Sequence, residues 1–166
     1  MSKPVIHLLL LAAFLVAAPA IEAADMHGPM TGIRAVALEL EGIEDDFAST
    51  GLVRATLEQE LARQIQSAGI AVIPASDWVA HPGGALLTFR LRLSRTPYYF
   101  YLYNVSLTLY NAVTLASSPG RAFSPVITWT DGWVGEMQPT ELAQVNGFAA
   151  QLVDRFLAEY RAQNGG

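Results

Sequence analysis

The chain has 166 residues, with 10 Lys+Arg against 15 Asp+Glu, a formal net charge of -5, three His and no Cys. That length suits one globular core, and a mild acidic excess argues against nucleic acid or anionic lipid as the main partner, since both call for clustered Lys and Arg. The lack of Cys excludes disulfides, thiolate metal sites, a cysteine nucleophile and a lipidated cysteine anchor.

Residues 1–24 read as a cleaved signal peptide. Lys3 supplies the positive start, Val5–Ala18 the apolar stretch, and Ala20, Ala23 and Ala24 the small residues that follow. Pro19 and Glu22 interrupt the run before it reaches the roughly 20 apolar residues that a membrane span needs. The expected location is therefore the periplasm or the exterior. Lys3 is the only lysine, so removing this segment also excludes Schiff-base chemistry.

Residues 25–32 contain Gly28, Pro29 and Gly32 and are expected to form a flexible lead-in to one domain over 33–164. In Arg34–Glu41, Val36, Leu38 and Leu40 alternate with Ala37, Glu39 and Glu41, the period-two pattern of a half-buried strand. The acidic run Glu44-Asp45-Asp46 comes next, then Ser49 and Thr50, either of which suits a helix cap. Val53, Leu57, Leu61, Ile65 and Ala68 form an apolar helical stripe, and Gly69 stands where such a helix stops. Ile70–Ile73 reads as a short buried strand ended by Pro74, followed by a loop over 74–84.

Leu87, Phe89, Leu91 and Leu93 alternate with Thr88, Arg90, Arg92 and Ser94, which makes this the clearest strand. After a turn at Thr96-Pro97, residues 99–115 alternate again, with Val105, Leu107 and Leu109 opposed to Asn104, Ser106, Thr108 and Tyr110. Ser117–Gly120 marks another turn, and Val126–Val134 a further strand. Pro139-Thr140-Glu141 opens the final helix, with a stripe of Leu142, Val145, Ala149, Leu152, Phe156 and Tyr160. The order β-α-β-β-β-α predicts an α+β fold: a two-layer α/β sandwich with a mixed sheet of about five strands. Its first strands should form a parallel pair, the next three an antiparallel meander, and both helices should lie on one face.

Catalytic groups are scarce. The sequence has no nucleophile-elbow motif, zinc-protease pair, phosphate loop or dinucleotide fingerprint. His81 sits in a Gly/Pro loop, and an Asp/Glu pair could do acid–base hydrolysis, Asp131 with Glu136 being one option. Glu44-Asp45-Asp46 lacks the ligand spacing of a calcium loop. Cleavage after Ala24 would expose Asp25-Met26-His27, whose amine, two amides and imidazole suit square-planar Cu(II). No cofactor or metal is otherwise expected.

Surplus aromatics are the more informative feature. Tyr98-Tyr99-Phe100-Tyr101-Leu102-Tyr103 puts bulk on both sides of one strand, and Trp129, Asp131 and Trp133 share a face. Arg90 and Arg92 share the wet side of the strand before. Aromatic residues with Arg favour contact surfaces. The expected binding residues are Arg90, Arg92, Tyr98, Phe100, Tyr101, Tyr110, Trp129 and Trp133. The expected partner is an envelope protein, a peptide, a small apolar or glycan ligand, or a second copy in a homodimer.

The segments Tyr103-Asn104-Val105-Ser106-Leu107-Thr108-Leu109, Ile127-Thr128-Trp129 and Val153-Asp154-Arg155-Phe156-Leu157-Ala158-Glu159-Tyr160, with Asn164, resemble a loose group of small exported bacterial proteins of unknown function. That resemblance implies the same strand–helix–strands–helix fold and a cell-envelope location, and it assigns no catalytic residues. More distantly, the pattern is similar to accessory domains of outer-membrane assembly lipoproteins, from which this chain departs in having no anchoring Cys. The resulting expectation is a non-enzymatic exported binding or accessory protein.

Overall fold

The computed structural model describes residues 28–114 and 125–165. Five strands, β1 (Ala35–Glu41), β2 (Ala71–Ile73), β3 (Gly84–Arg95), β4 (Tyr101–Asn111) and β5 (Val126–Met137), and two helices, α1 (Arg54–Ser67) and α2 (Gln144–Asn164), occur in the order β-α-β-β-β-α. They form one sheet of order β2-β1-β3-β4-β5. β1 runs parallel to both β2 and β3, whereas β3, β4 and β5 form an antiparallel meander. The α+β architecture is thus as the alternation predicted. No helix among the described residues is long and apolar enough to cross a membrane.

Alternation decides which side of the sheet is dry. Val36 and Leu40 of β1, Leu87, Phe89 and Leu91 of β3, and Val105, Leu107 and Leu109 of β4 join Leu57, Leu61 and Ile65 of α1 in one buried cluster. Val145, Ala149, Leu152, Val153, Phe156 and Leu157 of α2 complete it. Together these residues withdraw a continuous aliphatic cluster from water, the main favourable term in folding.

Local starts and stops differ from the sequence reading in three places. Ser49 and Thr50 lie in a 3-10 turn, Asp45–Thr50, which Gly51 ends in the left-handed conformation, so α1 begins only at Arg54. Arg54 also fastens α1 to the end of β1, donating to the carbonyls of Leu40 (2.7 Å) and Ile43 (3.3 Å). Pro139–Glu141 is a separate 3-10 turn closed by a capping box with Gln138, whose amide donates to Glu141 (2.7 Å). β5 runs on to Met137 instead of ending at Val134, because its register with β4 continues through Gly135 and Glu136. Gly42 is required where β1 ends, since its φ is +76° and a Cβ there would lie 1.9 Å from the Leu91 carbonyl oxygen.

The expected flexible lead-in is instead held down from Gly28 onward. Met30 is fully buried, and its amide donates to Gln163 (2.9 Å). The Gly32 amide donates to Asn164 (2.9 Å), and the Tyr160 hydroxyl donates to the Ile33 carbonyl (3.1 Å). Composition suggested a loose segment, but long-range side-chain bonds from the last turns of α2 fix it. Residues 1–27, which include the signal segment and Asp25-Met26-His27, lie outside the described residues.

The helix-free side is not bare along its whole length. Ala35 and Ala37 point away from the helices yet are fully buried, and Trp78, in the loop between β2 and β3, is buried outside the main core. A Cβ at Gly84 would meet the Trp78 carbonyl oxygen at 2.3 Å, so this loop crosses directly over the start of β3. One end of the face is therefore roofed by the chain itself, while the end toward the β3–β4 turn is open.

Candidate binding face

Three rows of side chains cross the open end, set by the antiparallel register. Arg90 stands beside Ser106 and Gly132, Arg92 beside Asn104 and Val134, and Ser94 beside Leu102 and Glu136. These rows line a shallow depression of about 690 Å³. Its floor is apolar where Leu102 (47% exposed) and Val134 (70% exposed) meet water. Exposed aliphatic side chains on a central strand and on its neighbour are the kind of patch that an isolated domain rarely leaves wet.

The charges along the walls are unequal. Arg90 donates to Glu41 on β1. That bond, with the nearby charges of Arg90 and Arg92, holds the Glu41 carboxyl below its ordinary value against a smaller opposing effect of burial. The same bond raises the Arg90 guanidinium, with the Tyr110 phenol adding to the effect. Arg92 makes no hydrogen bond or ion pair among the described residues. On the opposite wall, Glu136 is exposed and likewise makes none. Toward the roofed end, Thr88 and Thr108 are buried, and the Thr108 and Thr130 hydroxyls bond at 3.1 Å. Tyr110 pairs with Leu86 and Ile127 and is half-buried.

The eight residues expected to bind do not converge. Arg90, Arg92 and Tyr110 share the helix-free face. Tyr101, Trp129 and Trp133 point to the other side, where strand pairing sets them beside Met137, Leu109 and Val105 respectively. Trp129 meets the edge of Phe156 (5.6 Å between ring centroids) and donates to Glu159 (2.7 Å). Trp133 meets Phe148 edge-on (5.7 Å) beneath the Arg155 guanidinium, which lies 5.4 Å from its ring centroid and also donates to Asp131 (2.8 Å). These tryptophans line the seam that closes α2 over β5.

Tyr98 and Phe100 occupy the β3–β4 turn rather than a strand. The turn is closed by the Thr96 amide and hydroxyl, both donating to the Phe100 carbonyl (2.9 Å each). Tyr99 is left-handed (φ +66°), with the Arg95 guanidinium 6.0 Å from its ring, and the Tyr98 and Phe100 rings lie nearly parallel at 6.3 Å. Tyr98 and Tyr99 project into solvent (79% and 74% exposed). The residues overlooked in sequence are Leu102 and Val134. Pairing the meander strands about their turns would have set both beside Arg92 and Ser94.

The hydrolytic pair fails on geometry. Asp131 and Glu136 are five residues apart on a continuous strand, so they project from opposite faces. Asp131 is further committed to Arg155 and to the Gly132 amide (2.7 Å). His81 is exposed, its ring 3.1 Å from the Pro82 carbonyl oxygen. No group of three or more potential metal ligands occurs among the described residues.

No protein-family model matches the sequence, and a search of curated proteins finds no match. Among solved structures, the chain is similar to a PelC dodecamer from Paraburkholderia phytofirmans, at 13% identity and a TM-score of 0.40, over 78% of this chain and 88% of that one. It is also similar to a minor lipoprotein from Acinetobacter baumannii, at 16% identity and a TM-score of 0.30, over 78% of this chain and 91% of that one. Likeness at this level assigns neither protein's role to this chain.

Proposed function

We propose that this chain is a non-enzymatic, exported binding or accessory protein of the bacterial cell envelope that works by surface contact through the open end of its helix-free sheet face. The observation that carries this reading is the depression floored by exposed Leu102 and Val134, with an unpaired Arg92 on one wall and Glu136 on the other. The export segment read from residues 1–24 supports the location. Asp131 and Glu136, the pair weighed for acid–base hydrolysis, lie on opposite faces of β5.

The test is a photo-reactive phenylalanine analogue placed at Val134 or Leu102 of the full chain in the cells that produce it. Illumination is expected to give a discrete cross-linked species from both positions and none from Gln151, an exposed residue on α2. Equal, diffuse labelling from all three positions would overturn the reading.

A further inference from the structure

We infer that the occupant of this face is a second copy of the same chain, docked sheet to sheet about a two-fold axis that runs along β4. This inference rests on the reading of the face given above and names its partner. The reason lies in how charge is distributed across three neighbouring strands. Arg92 on β3 makes no ion pair or hydrogen bond among the described residues and feels Glu41 only through space, Glu136 on β5 likewise makes none, and the exposed apolar residues Leu102 and Val134 lie between or beside them.

A two-fold axis parallel to the central strand exchanges left and right. It sets β4 over its own copy, β3 over the partner's β5, and β5 over the partner's β3. The basic wall of one copy then faces the acidic wall of the other, twice, by symmetry. Leu102 meets its own counterpart at the centre, and the aliphatic stem of Arg92 lies on the partner's Val134, its charged end remaining at the rim. Arg92 and Glu136 differ by one same-face step along their strands, about 7 Å. An arginine side chain spans that distance, and the usual angle of about 30° between packed sheets changes the offset only modestly.

Arg90 takes no part, because Glu41 already neutralises it within the same chain. The roof formed by the Trp78 loop confines the contact to the open end. The open end is about six residues deep on each of three strands about 4.8 Å apart, which offers roughly 300 Å² per copy and about 600 Å² in all, the size of a weak, transient contact. The expected dimer is therefore weak, forming at roughly hundreds of micromolar, and it weakens further with salt, since its ion pairs sit at a solvated rim.

Charge reversal tests this directly. Sedimentation velocity of the exported protein at about 500 micromolar and low salt should show a substantial dimer fraction. Arg92→Glu and Glu136→Arg, each placing like charges together twice, should each weaken it about tenfold or more. The double variant R92E/E136R should recover most of the lost association. Both residues are exposed, so thermal melts should be nearly unchanged, which separates lost association from lost folding.

A monomeric wild type, or a dimer indifferent to both single reversals, would overturn the inference. Cross-linking from Val134 in cells separates it from the reading on which it depends. A product at twice the chain's mass supports both. A product of any other mass leaves the binding face standing and removes the second copy as its occupant. Diffuse labelling removes both.

Discussion

Phe89, Leu107 and Trp129 alternate with Arg90, Ser106 and Thr130, one residue apart on the same three strands, yet the two sets meet different worlds. On one side, Phe156 and Phe148 of α2 close over the strands, and even the polar groups serve the closure: Trp129 bonds to Glu159, and Arg155 spans Trp133 and Asp131. On the other side, threonine, serine and asparagine keep the strand surface wettable, while Leu102 and Val134 stay uncovered. The helix side holds the fold together and the other side is free to change. At its open end the residues contribute little to cohesion, whereas Ala35, Ala37, Thr88 and Thr108 at the roofed end are buried.

The largest expected effect contrasts the two sides directly. Phe156→Ala leaves a cavity in the buried cluster and should cost about 3–5 kcal/mol in urea denaturation. Val134→Ser, on the open side, should change stability by no more than about 0.5 kcal/mol. Comparable losses for both would erase the distinction. Next, Trp129→Phe keeps an apolar ring near Phe156 but removes the donor to Glu159, and a loss of about 1 kcal/mol is expected. Tyr99→Gly relieves a left-handed residue in the exposed turn, so the melting temperature should rise slightly, by the equivalent of about 0.5 kcal/mol. A clear fall instead would mean that the Tyr99 ring, near Arg95, carries more of the turn than its exposure implies.

The smallest effect concerns pH. Pairing with Arg90 lowers the Glu41 carboxyl in the folded state. The stabilisation is thus present above the ordinary glutamate value of about 4.3 and is lost as pH falls through the lower folded value. Because this pair is largely solvated, its contribution is small. Denaturation midpoints of wild type and Glu41→Gln should differ slightly near neutrality and converge in acid. A gap that widens in acid would contradict the pairing.

The strand interiors were legible because period-two alternation is strong where one side is dry, as in Leu87 to Leu93. The sidedness of β5 was not. It carries apolar residues in both phases, and a register shift opposite Leu109 and Tyr110 places Trp129 with the core while Ile127 joins the outer face. A period of two cannot announce such a shift. The Arg90–Arg92 wall was readable from sequence, but Leu102 and Val134 look like core residues until the pairing is known. Trp78 was hidden for the opposite reason: its Gly/Pro-rich surroundings suggest solvent, whereas the residue is buried against the chain. The anchoring of Met30 and Gly32 depends on Gln163 and Asn164, polar residues more than 130 positions away that no local pattern links to them.

That anchoring also gives the molecule a direction. Asn111 holds the Pro29 carbonyl (3.0 Å), so residue 28, the last turn of α2, and the ends of β3 and β4 that lie far from the Tyr98–Tyr99 turn gather at one pole. The twelve residues of β3 then act as a spacer of roughly 40 Å. Residue 28 and the exposed rings of Tyr98 and Tyr99 therefore sit at opposite ends of the molecule, separated by the full length of the central strand.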